Sequence, residues 1–150
     1  MADLKDLYQD VILDHYRNPR NNFRIEFANR QGEGLNPLCG DRFCIYLQIE
    51  GGLIRNIGFE GEGCAISLAS ASMMTEKLKL KTEDEAKAIH DAFLRLLTSP
   101  SVSQLESDRL GNLRVFSGVR DYPVRVKCAT LAWQALSAAL ERRTDAVSTE

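Results

Sequence analysis

The chain has 150 residues, a formal net charge of −2 at pH 7, 44% hydrophobic residues and 27% charged residues. These values are typical of one globular domain, so we expect residues 1–150 to form a single domain. The weak charge and the lack of a basic cluster argue against a nucleic-acid partner. The sequence begins without an apolar signal region, and its longest uncharged stretch, residues 63–75, is too short to span a membrane. We therefore expect a cytoplasmic protein without a membrane partner.

The first half of the chain is predicted to form a helix and then an antiparallel sheet. Apolar residues at helical spacing predict a helix over about residues 3–17. Alternating apolar residues predict a first strand within residues 23–35 and a clearer second strand over 42–50. The Gly-Gly pair at 51–52 is typical of a two-residue hairpin turn, so residues 53–60 are predicted to return as a third strand.

The second half is predicted to be helical. One helix is expected over residues 64–79, and a second follows Thr82, which matches a capping box with Glu85. Ser99-Pro100 resembles another helix start, followed by a short helix and loop. A last helix is predicted over residues 126–143, with residues 144–150 as a frayed tail. Helices segregated against a small three-stranded antiparallel sheet predict an α+β fold.

Three cysteines and one aspartate fall at the ends of predicted elements. Cys39 and Asp41 lie in the turn before the second strand, and Cys64 and Cys128 lie at two predicted helix starts. No two of these cysteines form a CxxC pair, the usual arrangement of a structural zinc knuckle. Thiolates and a carboxylate suit zinc or iron, and together these four residues can complete a tetrahedral zinc shell. Sulfur or iron–sulfur chemistry is therefore the leading hypothesis.

The predicted helix starts also favour reactive thiols. Exposed N–H groups and partial positive charge at a helix N-terminus stabilise a thiolate. Four negative ligands around a divalent cation would leave a net negative site, which Arg125 and Lys127, next to Cys128, could offset. Cys39 lies in a turn, whereas Cys64 and Cys128 begin helices whose first turns we expect to pack against the core. Cys39 is accordingly predicted to be the most accessible thiol of the three.

Three segments together resemble the cysteine motifs of the IscU/SufU family. They read Asn-Pro-Leu-Cys-Gly-Asp at 36–41, Gly-Glu-Gly-Cys-Ala-Ile-Ser at 61–67 and Lys-Cys-Ala at 127–129. The segment His-Tyr-Arg-Asn-Pro-Arg-Asn at 15–21 is similar to the opening of that family. The resemblance spans about residues 4–142, keeps the family's motif order, and implies an IscU/SufU-like fold.

Three departures from the IscU-type pattern favour the SufU branch. Lys127 stands where IscU-type proteins have a histidine, and Asp-Tyr-Pro-Val-Arg at 121–125 replaces their Leu-Pro-Pro-Val-Lys motif. The interval from Cys64 to Cys128 is also longer, with the extra segment expected within residues 98–120.

Resemblance to the SufU branch implies a zinc-dependent sulfurtransferase. Its partners would be a PLP-dependent cysteine desulfurase of the SUF system, which supplies persulfide sulfur, and downstream SUF proteins that assemble iron–sulfur clusters. Cys39 would accept the sulfur. Apart from the resemblance, the charge of Arg125 and its position near Cys128 predict that it assists the reaction. Zinc would be held by four residues, namely Cys39, Asp41, Cys64 and Cys128.

Two alternatives remain open. The same ligands could hold a [2Fe–2S] cluster on an assembly scaffold, because thiolates are the usual ligands of such clusters. A structural zinc domain that serves only protein contacts is the second alternative. Outside the motifs, Cys44 is interpreted as an ordinary small side chain and His15 as a packing or capping residue.

Overall fold

A computed structural model of the chain describes residues 4–37, 40–141 and 147–148. The elements in chain order are α1 Leu4–Arg17, β1 Arg30–Asn36, β2 Asp41–Glu50, β3 Leu53–Glu62, α2 Ala65–Leu78, α3 Glu83–Thr98, α4 Gln104–Leu110, a 3₁₀ helix Gly111–Val119, α5 Pro123–Leu140 and β4 Val147–Ser148. This order, with helices packed on an antiparallel sheet, confirms the predicted α+β class.

The sheet has the order β3-β2-β1-β4, and its first three strands are antiparallel. The predicted hairpin joins β2 to β3, and both glycines of its turn have positive φ, 59° at Gly51 and 77° at Gly52. A turn with positive φ at both central residues matches the twist of the flanking strands. The hairpin pairs Arg42 with Glu62 and therefore places the end of β3 beside the start of β2.

The first strand lies later than its predicted position. Residues 23–29 form bends and turns, and β1 begins at Arg30. Phe27 is 78% exposed, so the aromatic alternation that predicted a strand there does not mark one buried face. The Phe23 backbone instead lies over β3, where a Cβ added at Gly58 would come within 2.5 Å of the Phe23 carbonyl oxygen.

Helix α5 packs closely against β1, and two glycines permit this approach. A Cβ on Gly32 would lie 2.1 Å from the Ala135 carbonyl oxygen, and one on Gly34 would lie 2.8 Å from that of Leu131. The core side chains come mainly from β2, β3, α2, α3, α5 and the 3₁₀ helix. The largest fully buried ones are Trp133, Phe43, Phe59, Phe93, Phe116, Ile45, Leu47, Ile54, Ile57, Met73, Met74 and Leu78.

The helix boundaries confirm one predicted cap and correct two predicted starts. Thr82 and Glu85 form the predicted capping box at the start of α3. Ser99 ends α3 rather than beginning a helix, because the Ser103 hydroxyl accepts the Glu106 N–H and caps α4 instead. The last helix begins at Pro123, three residues before the predicted start, because proline is well suited to a first helical position.

Part of the predicted frayed tail is paired with the sheet. Val147–Ser148 form a short parallel pairing with Gly34 and Leu35 of β1. The other residues of the predicted tail, 144–146 and 149–150, lie outside the described part of the chain. Within the described ranges, every helix is either too short or too polar for a membrane-spanning segment.

Candidate metal centre

Three of the four predicted ligands meet at one end of the sheet. A carboxylate oxygen of Asp41 and the Sγ atoms of Cys64 and Cys128 all lie within 4.8 Å of one another. Asp41 is 5% exposed and Cys128 is 5% exposed, whereas Cys64 is exposed. The cluster therefore has a buried base and one side open to solvent.

The β2–β3 hairpin brings Asp41 and Cys64 together. Asp41 is the first residue of β2, and Cys64 follows the last residue of β3 by two positions. Close contact between the strand ends requires Gly61, because a Cβ there would lie 2.1 Å from the Arg42 carbonyl oxygen. The register of the hairpin therefore determines that the carboxylate and the first thiol share one site.

The crossing of α5 over β1 brings in Cys128. Ala135 lies over Gly32 and Leu131 over Gly34, so α5 runs antiparallel to β1. Four helical residues rise about 6 Å, close to the rise of two strand residues. Continuing this match by one step places Cys128 near the end of β1, where the chain turns into β2.

The two helix thiols differ more than their sequence positions indicated. Cys64 is the N-cap of α2, as predicted, with φ −71° and ψ 173°. Cys128 lies in the second turn of α5 because that helix begins at Pro123. The prediction that Cys128 begins a helix is therefore wrong, and the argument from the helix dipole applies only to Cys64.

The exposure of Cys64 differs from its predicted packing, while the prediction that Cys39 is the most accessible thiol falls on a residue outside the described part of the chain. The first helical turn at Cys64 was expected to pack against the core, yet the residue is exposed. Cys128 does lie in the core as expected. Burial therefore separates Cys128 from Cys64 and gives no reason to exclude Cys64 from reaction.

Cys39 lies outside the described residues, which include its neighbours Pro37 and Gly40. The Gly40 N–H donates to the Asn36 carbonyl at 2.9 Å, and Asn36 pairs with Asp41 at the end of the β1–β2 ladder. Gly40 has φ 75°, a conformation that favours glycine.

Ser67 is a polar contact of the cluster that sequence reasoning did not single out. Its hydroxyl donates to Asp41 Oδ2 at 2.6 Å and lies 3.2 Å from Cys64 Sγ. The available signal was spacing, because residues three apart on a helix start share a face, and Ser67 follows Cys64 by three. That signal is weak because α2 carries several other buried hydroxyl groups.

Arg125 is exposed, and its guanidinium lies 4.7 Å from the centroid of the Tyr122 ring. It precedes Cys128 by three residues on α5, so the two share one side of the helix. Tyr122 and Arg125 both line an open groove of about 700 Å³ between α1, α5 and the 3₁₀ helix. A role for Arg125 at the cluster stays a prediction.

Cys44 and His15 have structural settings. Burial raises the pKa of the half-buried Cys44 thiol, whose Sγ accepts a hydrogen bond from Gln31 Nε2 at 3.2 Å. A raised pKa disfavours the reactive thiolate, in keeping with the sequence interpretation. The buried His15 lies 2.7 Å from Ser72 Oγ and joins α1 to α2, as expected for a packing residue.

Comparisons with known proteins agree with this geometry. The sequence profile of the NifU-like N-terminal domain matches residues 7–129. The chain is 40% identical to the zinc-dependent sulfurtransferase SufU of Bacillus subtilis over 135 residues, which are 90% of each protein. It is 35% identical to the iron–sulfur cluster assembly scaffold protein IscU of Streptococcus pyogenes over 147 residues, covering 97% of this chain and 90% of the relative.

A solved structure shows the same fold. A candidate iron–sulfur cluster assembly scaffold protein for the SUF system of Fervidobacterium islandicum superposes with a TM-score of 0.83 at 33% identity. The match covers 92% of this chain and 99% of the other. On sequence and structure alike, the chain belongs to the family of NifU-like N-terminal domains, which includes the IscU and SufU proteins of iron–sulfur cluster assembly.

Proposed function

We propose that this protein accepts persulfide sulfur from a PLP-dependent cysteine desulfurase of the SUF type and delivers it to iron–sulfur cluster assembly. Cys39 is the acceptor, and zinc is the resident metal. The observation that carries the proposal is the convergence of Asp41, Cys64 and Cys128, from three separate elements, beside the turn that contains Cys39. The SufU relative of Bacillus subtilis, named as a zinc-dependent sulfurtransferase, supports the choice of metal and reaction.

The donor set fits zinc. Two thiols and one carboxylate within 4.8 Å offer three ligands of the types that zinc prefers. In the sequence, Cys39 stands between the end of β1 at Asn36 and the start of β2 at Asp41, so we infer that it is the fourth ligand. Bound zinc would lower the pKa of these thiols and hold them as thiolates at neutral pH.

The transfer step exchanges one sulfur–sulfur bond for another. The Cys39 thiolate attacks the outer sulfur of the persulfide on the desulfurase, and a new bond forms between that sulfur and Cys39 Sγ. The original sulfur–sulfur bond breaks, and the cysteine of the desulfurase leaves as a thiolate. No external oxidant or reductant is required, because the bond formed has the same electron count as the bond broken.

The neighbouring residues have separate parts in this reaction. Asp41, Cys64 and Cys128 would keep the metal bound while Cys39 reacts. Arg125 is exposed and lies one helical turn before Cys128, and its positive charge would offset the negative charge of the ligand set. The raised pKa of Cys44 keeps that thiol protonated and out of the reaction.

The experiment incubates the protein with a SUF-type cysteine desulfurase and free cysteine under anaerobic conditions, followed by peptide mass spectrometry. We expect a persulfide on Cys39 and stimulation of the desulfurase by the wild type. Cys39→Ser should abolish both, whereas the matched control Cys44→Ser should retain them. Persulfide on Cys64 or Cys128, or full stimulation by Cys39→Ser, would contradict the assignment.

A scaffold that carries a [2Fe–2S] cluster is the second candidate, favoured by the thiol ligands and by the IscU relative. Metal analysis and visible absorption of the anaerobically purified protein separate the two functions. Zinc at about one atom per chain in a colourless protein supports sulfur transfer. Iron, acid-labile sulfide and a visible absorption band in its place would support the scaffold.

A further inference from the structure

Ser67 joins two of the candidate ligands from a fully buried position. It is the third residue of α2, and its side chain is 0% exposed. Its hydroxyl lies 2.6 Å from Asp41 Oδ2, on the neighbouring strand β2, and 3.2 Å from the Sγ of Cys64, the N-cap of its own helix. One oxygen atom thus connects a ligand on the sheet with a ligand on a helix.

The single proton of the Ser67 hydroxyl determines to which ligand it donates a hydrogen bond. Serine has one proton to donate, whereas an ionised carboxylate can only accept. The proton therefore goes to Asp41 Oδ2, and the short distance of 2.6 Å is typical of a charge-assisted bond. Either atom of the Ser67–Cys64 contact can be the donor, so the bond to Asp41 is the one that fixes an orientation.

An ordinary helical role explains this contact less well. Serine in the first turn of a helix often bonds back to the carbonyl three residues earlier. Here the distance from Ser67 Oγ to the Cys64 carbonyl oxygen is 3.5 Å, at the outer limit of a hydrogen bond. The hydroxyl is therefore directed across to the sheet rather than along its own helix.

The surrounding chain leaves room for the hydroxyl and little else. A Cβ at Gly63 would lie 2.7 Å from Ser67 Oγ and 2.9 Å from Phe43 Cζ. The buried Phe43 ring offers no hydrogen-bond acceptor of comparable strength on that side. The Gly-Cys-Ala-Ile-Ser segment thus combines an N-cap ligand with a hydroxyl that reaches the second ligand.

We propose that Ser67 is a positioning residue that holds Asp41 Oδ2, so that the other carboxylate oxygen, Oδ1, is the one presented to the metal. This inference rests on the proposed metal binding. Partners of this kind orient metal-binding carboxylates and histidines in many proteins, and their loss weakens metal binding. Ser67 thereby sets the direction from which Asp41 joins the two thiols.

The test measures zinc affinity by competition with a chromophoric chelator, without any activity assay. Ser67→Ala should bind zinc about 10–100-fold more weakly than the wild type, the usual effect of losing such a partner. The matched control is Ser70→Ala, one turn further along α2. Ser70 is equally buried, but its hydroxyl donates to the Ala129 carbonyl and accepts from the Trp133 Nε1–H, so it is bonded to α5 and not to Asp41 or Cys64. Its affinity should stay within about 2-fold of the wild type, because its effect on stability is independent of the site.

A double-mutant cycle tests whether Ser67 acts through Asp41. In an Asp41→Ala background, Ser67→Ala should cause almost no further loss of zinc affinity, because the oriented group is gone.

The other possible outcomes contradict either the role of Ser67 or the proposed function. Equal affinity of Ser67→Ala and wild type would overturn the inference, as would the same loss with and without Asp41. A loss in Ser70→Ala as large as that in Ser67→Ala would show a general effect of stability and also overturn it. Failure of the wild type itself to bind zinc would contradict the proposed function rather than the role of Ser67 alone.

Discussion

Helix α2 carries buried hydroxyl groups near both ends, and the two ends use them differently. In the last two turns, Ser72 and Thr75 are bonded to the end of α1 and to the segment that follows it. Ser72 Oγ lies 2.7 Å from His15 Nδ1 and accepts the Arg20 N–H at 2.9 Å. Thr75 Oγ1 accepts a hydrogen bond from Asn21 Nδ2 at 3.2 Å. Here the hydroxyl groups pair donors with acceptors and fasten one segment to another.

At the first turn, Ser67 contacts two acidic side chains. Asp41 contributes a carboxylate and Cys64 a thiol, and the Cys128 thiol lies within 4.8 Å of both. In their ionised forms these groups repel one another, and the repulsion grows as water is excluded. The comparison shows that the hydroxyl groups at one end of α2 are paired with donors and acceptors of neighbouring segments, whereas the hydroxyl at the other end lies among the candidate metal ligands.

The largest expected effect comes from removing a thiol at the metal end. Cys64→Ala or Cys128→Ala should abolish stable zinc binding, because each removes one of the ligands that converge at the site. The thermal midpoint of either variant should then no longer rise on addition of zinc. Binding at 1,000 times Kd is worth about 4 kcal/mol, so the wild type should gain several degrees.

Cys44→Ala provides the matched control for the thiol variants, because Cys44 is half-buried on β2 and outside the cluster. It should keep full zinc content and the full shift in midpoint. Full zinc occupancy in both Cys64→Ala and Cys128→Ala would refute the ligand assignment.

The second effect concerns the carboxylate. Asp41→Ala should weaken zinc binding without erasing it, because a carboxylate is a harder and more labile ligand for zinc than a thiolate. In the metal-free state, the same variant leaves the buried Ser67 hydroxyl without its acceptor. The free energy of unfolding should fall by about 1–3 kcal/mol, measured by urea denaturation.

Asp41→Asn separates these two losses. The amide oxygen can still accept from Ser67, so metal-free stability should recover, while zinc affinity stays low because the charge is gone. Zinc affinity and desulfurase stimulation equal to wild type in Asp41→Ala would show that Asp41 is only a turn residue.

Strands β2 and β3 could be predicted from the sequence, whereas the position of β1 could not, and the difference has a physical cause. Strands β2 and β3 alternate apolar and polar residues, and Gly51-Gly52 marks their turn. Strand β1 has no such pattern, because Gly32 and Gly34 occupy its inner face under α5. In the sequence, such a glycine pair is typical of a loop. Only the tertiary structure shows that the two glycines make room for the backbone of α5.

The ligand residues could be named from their motifs, but their arrangement could not. Cys64 reaches Asp41 through strand register, and Cys128 reaches both through the crossing of α5 over β1. Pro123 did indicate the true start of α5, since proline favours the first helical position. Ser67 had no comparable signal among the serines of α2, because only tertiary contacts distinguish it from Ser70 and Ser72.

The third prediction addresses the opposite end of α2. Ser72→Ala removes the partner of the His15 ring and of the Arg20 N–H. Because both partners are at least partly buried, we expect a loss of about 1–3 kcal/mol in the free energy of unfolding. Zinc affinity measured on the folded variant should not change. A loss of zinc affinity equal to that of Ser67→Ala would show that the two ends of α2 are not independent.

The smallest expected effect is a dependence of stability on pH at His15. Burial lowers the pKa of this histidine, and the nearby Arg20 charge lowers it further, while Glu76 and Asp14 partly oppose them. The unfolded chain, with a histidine pKa of about 6.5, binds this proton more readily than the folded protein. Stability from this group is therefore complete above that pH and is lost as the pH falls from about 6.5 through the lower pKa of the folded state.

Urea denaturation of metal-free protein between pH 8 and 5 should show this loss in the wild type and a smaller one in His15→Gln. Measuring without metal keeps protonation of zinc ligands from contributing, because metal release would otherwise follow the same direction. If both proteins lose stability in parallel, the neutral His15–Ser72 contact is not what the pH change disrupts.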